Sequence, residues 1–299
     1  MSRILVCGLI NVETTVKIDG FPLEYCPIDY NFFGVNSYPA GVGLNLSLSL
    51  STLSDEVRLL SMVSDDCAGA VVKDVLVKNG VSTDYLLNTG STAQSVVLYD
   101  NDGRRRIFCD LKDLQERSFD EKIFIDAVKD CDAVCLCNIN FSRNLLKIAK
   151  DMGKIIATDI HVQSDINDEY NRDFMKNADI LFLSNEGIIG REKEFLMQLK
   201  DTYKAQIIVV GMGENGSMMY VRADDNYHHR NAVKPAKIVN TVGAGDSLFS
   251  SFVHFYVKGV DPYTSLEYAT HYASHKIGFD GAAKGFLTEK QLLEIVNRV

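Results

Sequence analysis

No stretch of eighteen apolar residues occurs in the 299-residue sequence, so no membrane-spanning helix is expected. Positive charge is in deficit. The 31 lysines and arginines face 40 aspartates and glutamates, which leaves a net charge of −9 and a pI near 5.2. That balance disfavours nucleic acid or an anionic membrane surface as a partner. The N-terminal apolar run stops at Asn11 and Glu13, too early for a signal peptide. There is no regular cysteine framework. Seven cysteines, an odd number, point to reduced thiols and a cytoplasmic location. Cys135 and Cys137 alternate with Val134 and Leu136 as in a buried strand, and no second Cys or His pair follows at metal-binding spacing. The sequence has no G-x-x-x-x-G-K-[ST], so it is not a P-loop enzyme, and no G-x-S-x-G, H-E-x-x-H or paired C-x-x-C occurs either. Nor is there an internal repeat, a low-complexity segment or a linker.

What is present is ordinary soluble composition, 46% apolar and 24% charged, in a chain long enough for a sizeable core. Arg3 to Leu9 reads as a buried first strand. From Val12 to Pro39 only short extended pieces fit, Thr14–Ile18 and Phe32–Val35, broken by Pro22, Pro27 and Pro39. After Gly41 and Gly43, leucines at 46, 48 and 50 alternate with serines. The alternation argues for a strand and the glycines for a helix-opening loop, and the pattern leaves both open. Val57–Val63 reads as a strand and Cys67–Lys78 as a helix ended by Asn79-Gly80. Ala93–Asp100 and Arg105–Leu111 read as a hairpin around Asn101-Asp102-Gly103. Thereafter strands at 133–137, 154–158, 180–183 and 206–210 alternate with helices at 142–152, up to 177, and 192–200. That rhythm implies a parallel sheet covered on both faces. Three helices close the chain: 244–258, 262–279 and, capped by Thr288, 289–298. The two extended pieces, about 12–39 and 93–111, interrupt one α/β domain spanning 1–299.

Asn240-Thr241-Val242-Gly243-Ala244-Gly245-Asp246-Ser247 leads from an extended segment into a long apolar helix. Bare N–H groups at such a junction suit a phosphate or a developing oxyanion. Asp246 would repel an anion, unless it takes a proton from the hydroxyl that attacks a phosphoryl group held by those N–H groups. Alone, the stretch reads as readily as a Gly-rich turn with an acidic cap. Gly211-Met212-Gly213-Glu214-Asn215-Gly216 matches the dinucleotide fingerprint, but Ser217–Val221 after it reads as a strand where that motif needs a helix. An NAD-dependent oxidoreductase would rest on it alone.

The chain resembles the ribokinase (PfkB-type) carbohydrate kinases. Asn240–Asp246 resembles their D-T-x-G-A-G-D signature, and Ala40-Gly41-Val42-Gly43-Leu44-Asn45 their G-G-x-G-x-N. Gly8–Asn11, Ser61–Gly69, Ala178–Glu186, Gly213–Gly216 and Gly281-Ala282 match further family segments in order across nearly the whole chain. The resemblance implies a three-layer α/β/α domain with a small β-sheet lid. It implies ATP-dependent phosphorylation of a hydroxymethyl group on a sugar or nucleoside, with Mg2+. Asp246 would then be the general base and Gly243, Ala244 and Gly245 the anion hole. Asn11, Glu13, Gly41 and Asn45 would bind the sugar. Asn185, Gly213, Gly216 and Thr270 would lie by the nucleotide, Glu186 would order water around magnesium, and lid strands would pair in a homodimer. The chain also departs from the pattern. Glu13 stands for a common Asp, Ala40 for a Gly, Thr270 for an Asn, and Ile188 for the last residue of N-x-x-E. Asn240 replaces an Asp, which weakens the case for a bound monovalent cation. A nucleoside kinase, or a non-catalytic ligand-binding regulator on the same fold, remains the alternative.

Overall fold

The computed structural model describes residues 1–102 and 104–297. The chain runs through β1 (Arg3–Cys7), then β2 (Asn11–Lys17) and β3 (Val35–Ala40). It returns by α1 (Val42–Thr52), β4 (Glu56–Val63), α2 (Cys67–Lys78) and β5 (Leu86–Asn88), and leaves again for β6 (Gln94–Tyr99) and β7 (Arg105–Asp110). Then α3 (Glu121–Val128), β8 (Ala133–Leu136), α4 (Asn140–Asp151), β9 (Ile155–Val162), α5 (Arg172–Asn177), β10 (Ile180–Ser184), α6 (Glu192–Thr202) and β11 (Ile207–Gly211) alternate. An antiparallel pair, β12 (Ser217–Val221) and β13 (Asn226–Arg230), precedes α7 (Ala244–Val257), α8 (Pro262–Lys276) and α9 (Glu289–Val296).

Among the described residues nine strands form one sheet, ordered β13-β12-β11-β10-β9-β8-β1-β4-β5. It is parallel from β11 to β5. Its strands are buried on both faces, which is why they read as unbroken apolar runs. On one face Phe124, Phe141, Phe174 and Phe195 bring α3 to α6 onto the sheet. On the other Leu44, Leu76, Phe252 and Leu266 bring α1, α2, α7 and α8 onto it. This is the α/β layering expected from the sequence. The chain leaves β1 toward β4 on one side and reaches β8 on the other, so the strand order switches at β1. Open α/β sheets bind ligands at the carboxyl ends of strands beside such a switch.

The segment at 42–52 is a helix. Its alternation leaves strand and helix open because α1 is buried nearly all round, so no polar face is required. Ser49 Oγ lies 2.7 Å from Ser250 Oγ of α7 and 3.1 Å from the Tyr272 hydroxyl of α8, and Ser47 Oγ donates to the Gly43 carbonyl at 2.7 Å. The serines are small enough to let three helices touch.

Among the described residues four strands make a second sheet, β3-β2-β6-β7. The extended piece expected at 32–35 is instead a turn at Phe32 and Phe33, with the strand following from Val35. Pro39 lies inside that strand, on the sheet edge where a missing N–H is tolerated. Strand β9 runs four residues past the expected end because Asp159 and His161 break the apolar pattern without ending the strand. The helix reaching Asn177 begins only at Arg172. Helix α9 carries the expected Thr288 cap as a full capping box. Gly103 of the hairpin and Arg298 of the last helix lie outside the described residues.

Candidate active site

Helix α7 starts from a shaped turn. Asn240 Oδ1 accepts from the Val242 N–H at 2.9 Å, and Asn240 Nδ2 donates to Asp280 Oδ1 at 3.2 Å. Gly243 is left-handed, with φ 78° and ψ 6°. A side chain there would be strained, and its Cβ would meet the Ala282 carbonyl oxygen at 2.7 Å. The Ala244 N–H, expected among the anion-hole donors, instead donates to the Thr241 carbonyl at 3.2 Å, because the turn folds back on itself there. Among the described residues the N–H groups of Gly243, Gly245 and Asp246 have no protein acceptor, so three donors open at the positive end of a 14-residue helix.

Asp246 lies in the first turn, half-buried. Asn45 Nδ2 donates to its Oδ2 at 2.6 Å, across 201 residues of sequence. Two glycines make that reach possible. Gly41 has φ 101°, and a Cβ on Gly43 would meet the Gly8 carbonyl oxygen at 2.6 Å, so α1 starts hard against the end of β1. Burial pushes the Asp246 carboxyl above its ordinary pKa. The Asn45 bond and the charges of His161 and Lys276 oppose this, and Asp159 adds to it.

The second sheet supplies a polar row. In register, Tyr38, Glu13, Ser95 and Cys109 lie side by side on one face. Asn11 Nδ2 donates to Ser95 Oγ at 2.9 Å, and the Tyr38 hydroxyl lies 3.3 Å from Glu13 Oε1. Among the described residues, Asn11 Oδ1 and Asn45 Oδ1 are buried without a hydrogen-bond partner. Such acceptors suit ligand hydroxyls, which carry the donor they lack. The Asp66 carboxylate ties the root of this sheet to α2. It accepts from the N–H groups of Gly69 at 2.8 Å and Thr92 at 2.9 Å.

At the carboxyl end of β11, Gly213 and Gly216 form the turn into the antiparallel β12. The G-x-G-x-x-G match is thus a hairpin without the helix that dinucleotide binding requires. The Thr270 hydroxyl donates within α8 to the Leu266 carbonyl at 2.7 Å. Past β10, Asn185 Nδ2 donates to Glu192 Oε1 at 2.9 Å, which holds the Glu192 carboxyl below its usual pKa. Glu186 is exposed, and Ile188 is sealed in the core.

Sequence reading missed Glu192, Ser95, Tyr38, the pair Asp159 and His161, and Lys276. His161 sits at the end of β9 with φ 56°, an uncommon value for a non-glycine residue. Lys276 alone had a legible signal. It continues the buried stripe of α8 through Leu266, Ala269 and Tyr272, where a lysine is out of place.

Comparison with known proteins agrees with this geometry. Residues 1–289 match the family model described as pfkB family carbohydrate kinase. The chain belongs to that family, and the reaction class is phosphoryl transfer to a carbohydrate. It is 23% identical over 292 residues to an acarbose 7(IV)-phosphotransferase of an Actinoplanes species, covering 97% of each chain. It is 23% identical to a 5-dehydro-2-deoxygluconokinase of Clostridium perfringens, covering 97% of this chain and 96% of the other. Among solved structures, a microbiome-derived acarbose kinase superposes with a TM-score of 0.88 at 21% identity, over 99% of both chains. Arabidopsis thaliana ribokinase complexed with ribose and ATP gives 0.84 at 19%, again over 99% of both.

Proposed function

We propose that this protein transfers the γ-phosphoryl group of ATP to a hydroxymethyl group of a sugar, with Asp246 as the general base. The carrying observation is the 2.6 Å bond from Asn45 to a half-buried carboxylate beside three open N–H donors. Asp246 accepts the proton of the acceptor hydroxyl. That oxygen bonds to the γ-phosphorus as the bond to the β–γ bridging oxygen breaks, and ADP leaves. The N–H groups of Gly243, Gly245 and Asp246 take up charge on the transferred group, with Ala244 shaping the turn. Asn11, Glu13, Gly41 and Asn45 line the acceptor side, and the two unpartnered amide oxygens favour a polyhydroxyl ligand. Gly213, Gly216 and Thr270 flank the nucleotide.

The donor set fits magnesium carried mainly by ATP phosphates and water, the usual habit of that ion. Asn185 and Glu192, with Glu186 nearby, would order its water shell. Magnesium would neutralise phosphate charge during transfer. The segments 12–39 and 93–111 act as a lid that closes over the sugar and excludes water, a competing acceptor. Reduced cysteines favour a cytoplasmic enzyme, and no helix among the described residues is long and apolar enough to cross a membrane.

The test is ADP release from MgATP across sugars and nucleosides. Turnover confined to sugars is the expected result. Turnover confined to nucleosides would move the assignment to a nucleoside kinase, and ligand binding without any turnover to a regulator. A homodimer through the lid is also expected. Val35, Ile107 and Phe108 of the small sheet and Phe32 and Phe33 before it are exposed, a patch that another copy would cover. Light scattering should give twice the 33.3 kDa chain mass. A monomer at micromolar concentration would remove this part of the proposal.

A further inference from the structure

Lys276 is fully buried, with 0% of its surface exposed, at the last position of α8. Its Nζ donates to the Val242 carbonyl. A buried ammonium is costly, so its placement against one carbonyl of the α7 entry turn needs a reason. The reason lies in that peptide. In a continuous helix the Val242 carbonyl would accept from the Asp246 N–H, four residues on. The left-handed Gly243 turns the carbonyl away, Lys276 takes it, and the Asp246 N–H is left open. The Val242–Gly243 peptide is trans, so its carbonyl and the Gly243 N–H point in opposite directions. Fixing the carbonyl toward Lys276 aims the Gly243 N–H away from it.

We infer that Lys276 is a positioning residue for phosphoryl transfer: its ammonium locks the Val242–Gly243 peptide in the orientation that opens the Gly243 and Asp246 N–H groups to the transferring phosphoryl group. It works as a tethered cation. The neighbouring Asn240 is neutral and bonds to Asp280 instead. The proposal rests on the phosphoryl-transfer reading. Its geometry also stands apart from that reading, because a peptide flip would close the hollow to any anion.

Burial lowers the Lys276 pKa to about 8, against the pull of Asp246 on α7 and Asp280 beyond α8, the two charged groups that act on it. A neutral amine is the weaker donor. Wild-type kcat should therefore fall as pH rises through about 8. Over the same window the fold should become more stable, because the unfolded lysine holds its proton longer. Falling activity with rising stability is a signature that a merely structural lysine would not give.

The experiment compares wild type with Lys276→Met and Lys276→Ala. Lys276→Met should lose at least about 10²–10³ in kcat, the effect of removing one of the two anion-hole donors it holds open. KM should change little, the melting temperature should hold, and the alkaline limb should disappear. Added ammonium or methylammonium should restore part of kcat to Lys276→Ala and leave the wild type unchanged. A Met variant with wild-type kcat and pH profile overturns the proposal, as does a loss that no amine rescues. If the Met variant does not fold, the wild-type profile and amine rescue still decide. Inorganic phosphate binding in the presence of ADP separates the two claims. A wild type without turnover, whose phosphate affinity still drops at least tenfold in Lys276→Met, would retain Lys276 and sink the kinase reading. Unchanged phosphate affinity would sink the role of Lys276.

Discussion

Asp246→Asn should turn over MgATP and sugar about 10²–10⁴-fold more slowly than wild type, the usual contribution of a general base. The substitution is nearly isosteric. Asn45 Nδ2 can still donate to the new amide oxygen, as it does to Asp246 Oδ2 at 2.6 Å. The α7 turn and its open N–H groups stay, so ATP binding should hold while kcat falls. Burial raises the Asp246 pKa, so the wild-type acid limb should lie above the ordinary carboxylate range and vanish in the variant. The stability sign follows from the same shift. A carboxyl with a folded pKa above its unfolded value contributes stability at low pH, and loses it as pH rises through the folded pKa. At neutral pH the charged Asp246 therefore costs stability, and Asp246→Asn should melt no lower than wild type, a trade common at active sites. Coupled ADP release and melting scans against pH read both. Turnover within tenfold of wild type would remove Asp246 from its role.

Gly243→Ala should be the next most damaging single change. Its left-handed backbone disfavours a Cβ by about 1–2 kcal/mol. The larger effect is steric. The new Cβ would sit 2.7 Å from the Ala282 carbonyl oxygen and 3.0 Å from the Ala282 Cα, both backbone atoms that a rotamer change cannot move. The turn must shift, carrying the Gly243 N–H and the Val242 carbonyl with it. A drop of about 10²–10³ in kcat is expected, the size of one lost oxyanion donor, together with a lower melting temperature. Gly90→Ala is the control. Its Cβ meets nothing within 4 Å and its φ is ordinary, so rate and melting point should be unchanged. If Gly243→Ala keeps kcat within threefold of wild type, its N–H does not face the reaction.

The parts of the chain legible beforehand are those whose physics is local. Unbroken apolar runs marked the doubly covered strands, and the turn signal at 101–103 marked a hairpin between β6 and β7. The glycines at 41, 43 and 243 marked places where backbone must lie bare. Helix α1 was ambiguous because burial on every side erases the polar face that distinguishes periods of 2 and 3.6. Strand β9 was cut short because Asp159 and His161, whose charges act on Asp246, interrupt its apolar run without ending the strand.

The sequence by itself determined that this is an α/β chain with a Gly-rich helix start carrying one carboxylate, because strand, helix and turn signals act over a few residues. Tertiary structure decided which groups meet. Asn45 reaches Asp246 across 201 residues, Glu192 of α6 stands by Asn185 where Ile188 is buried, and Lys276 reaches the Val242 carbonyl from the far end of α8. No local pattern encodes such contacts. They follow from the order in which strands lie in the sheet, which brings the ends of distant elements to one edge and makes a buried lysine worth its desolvation.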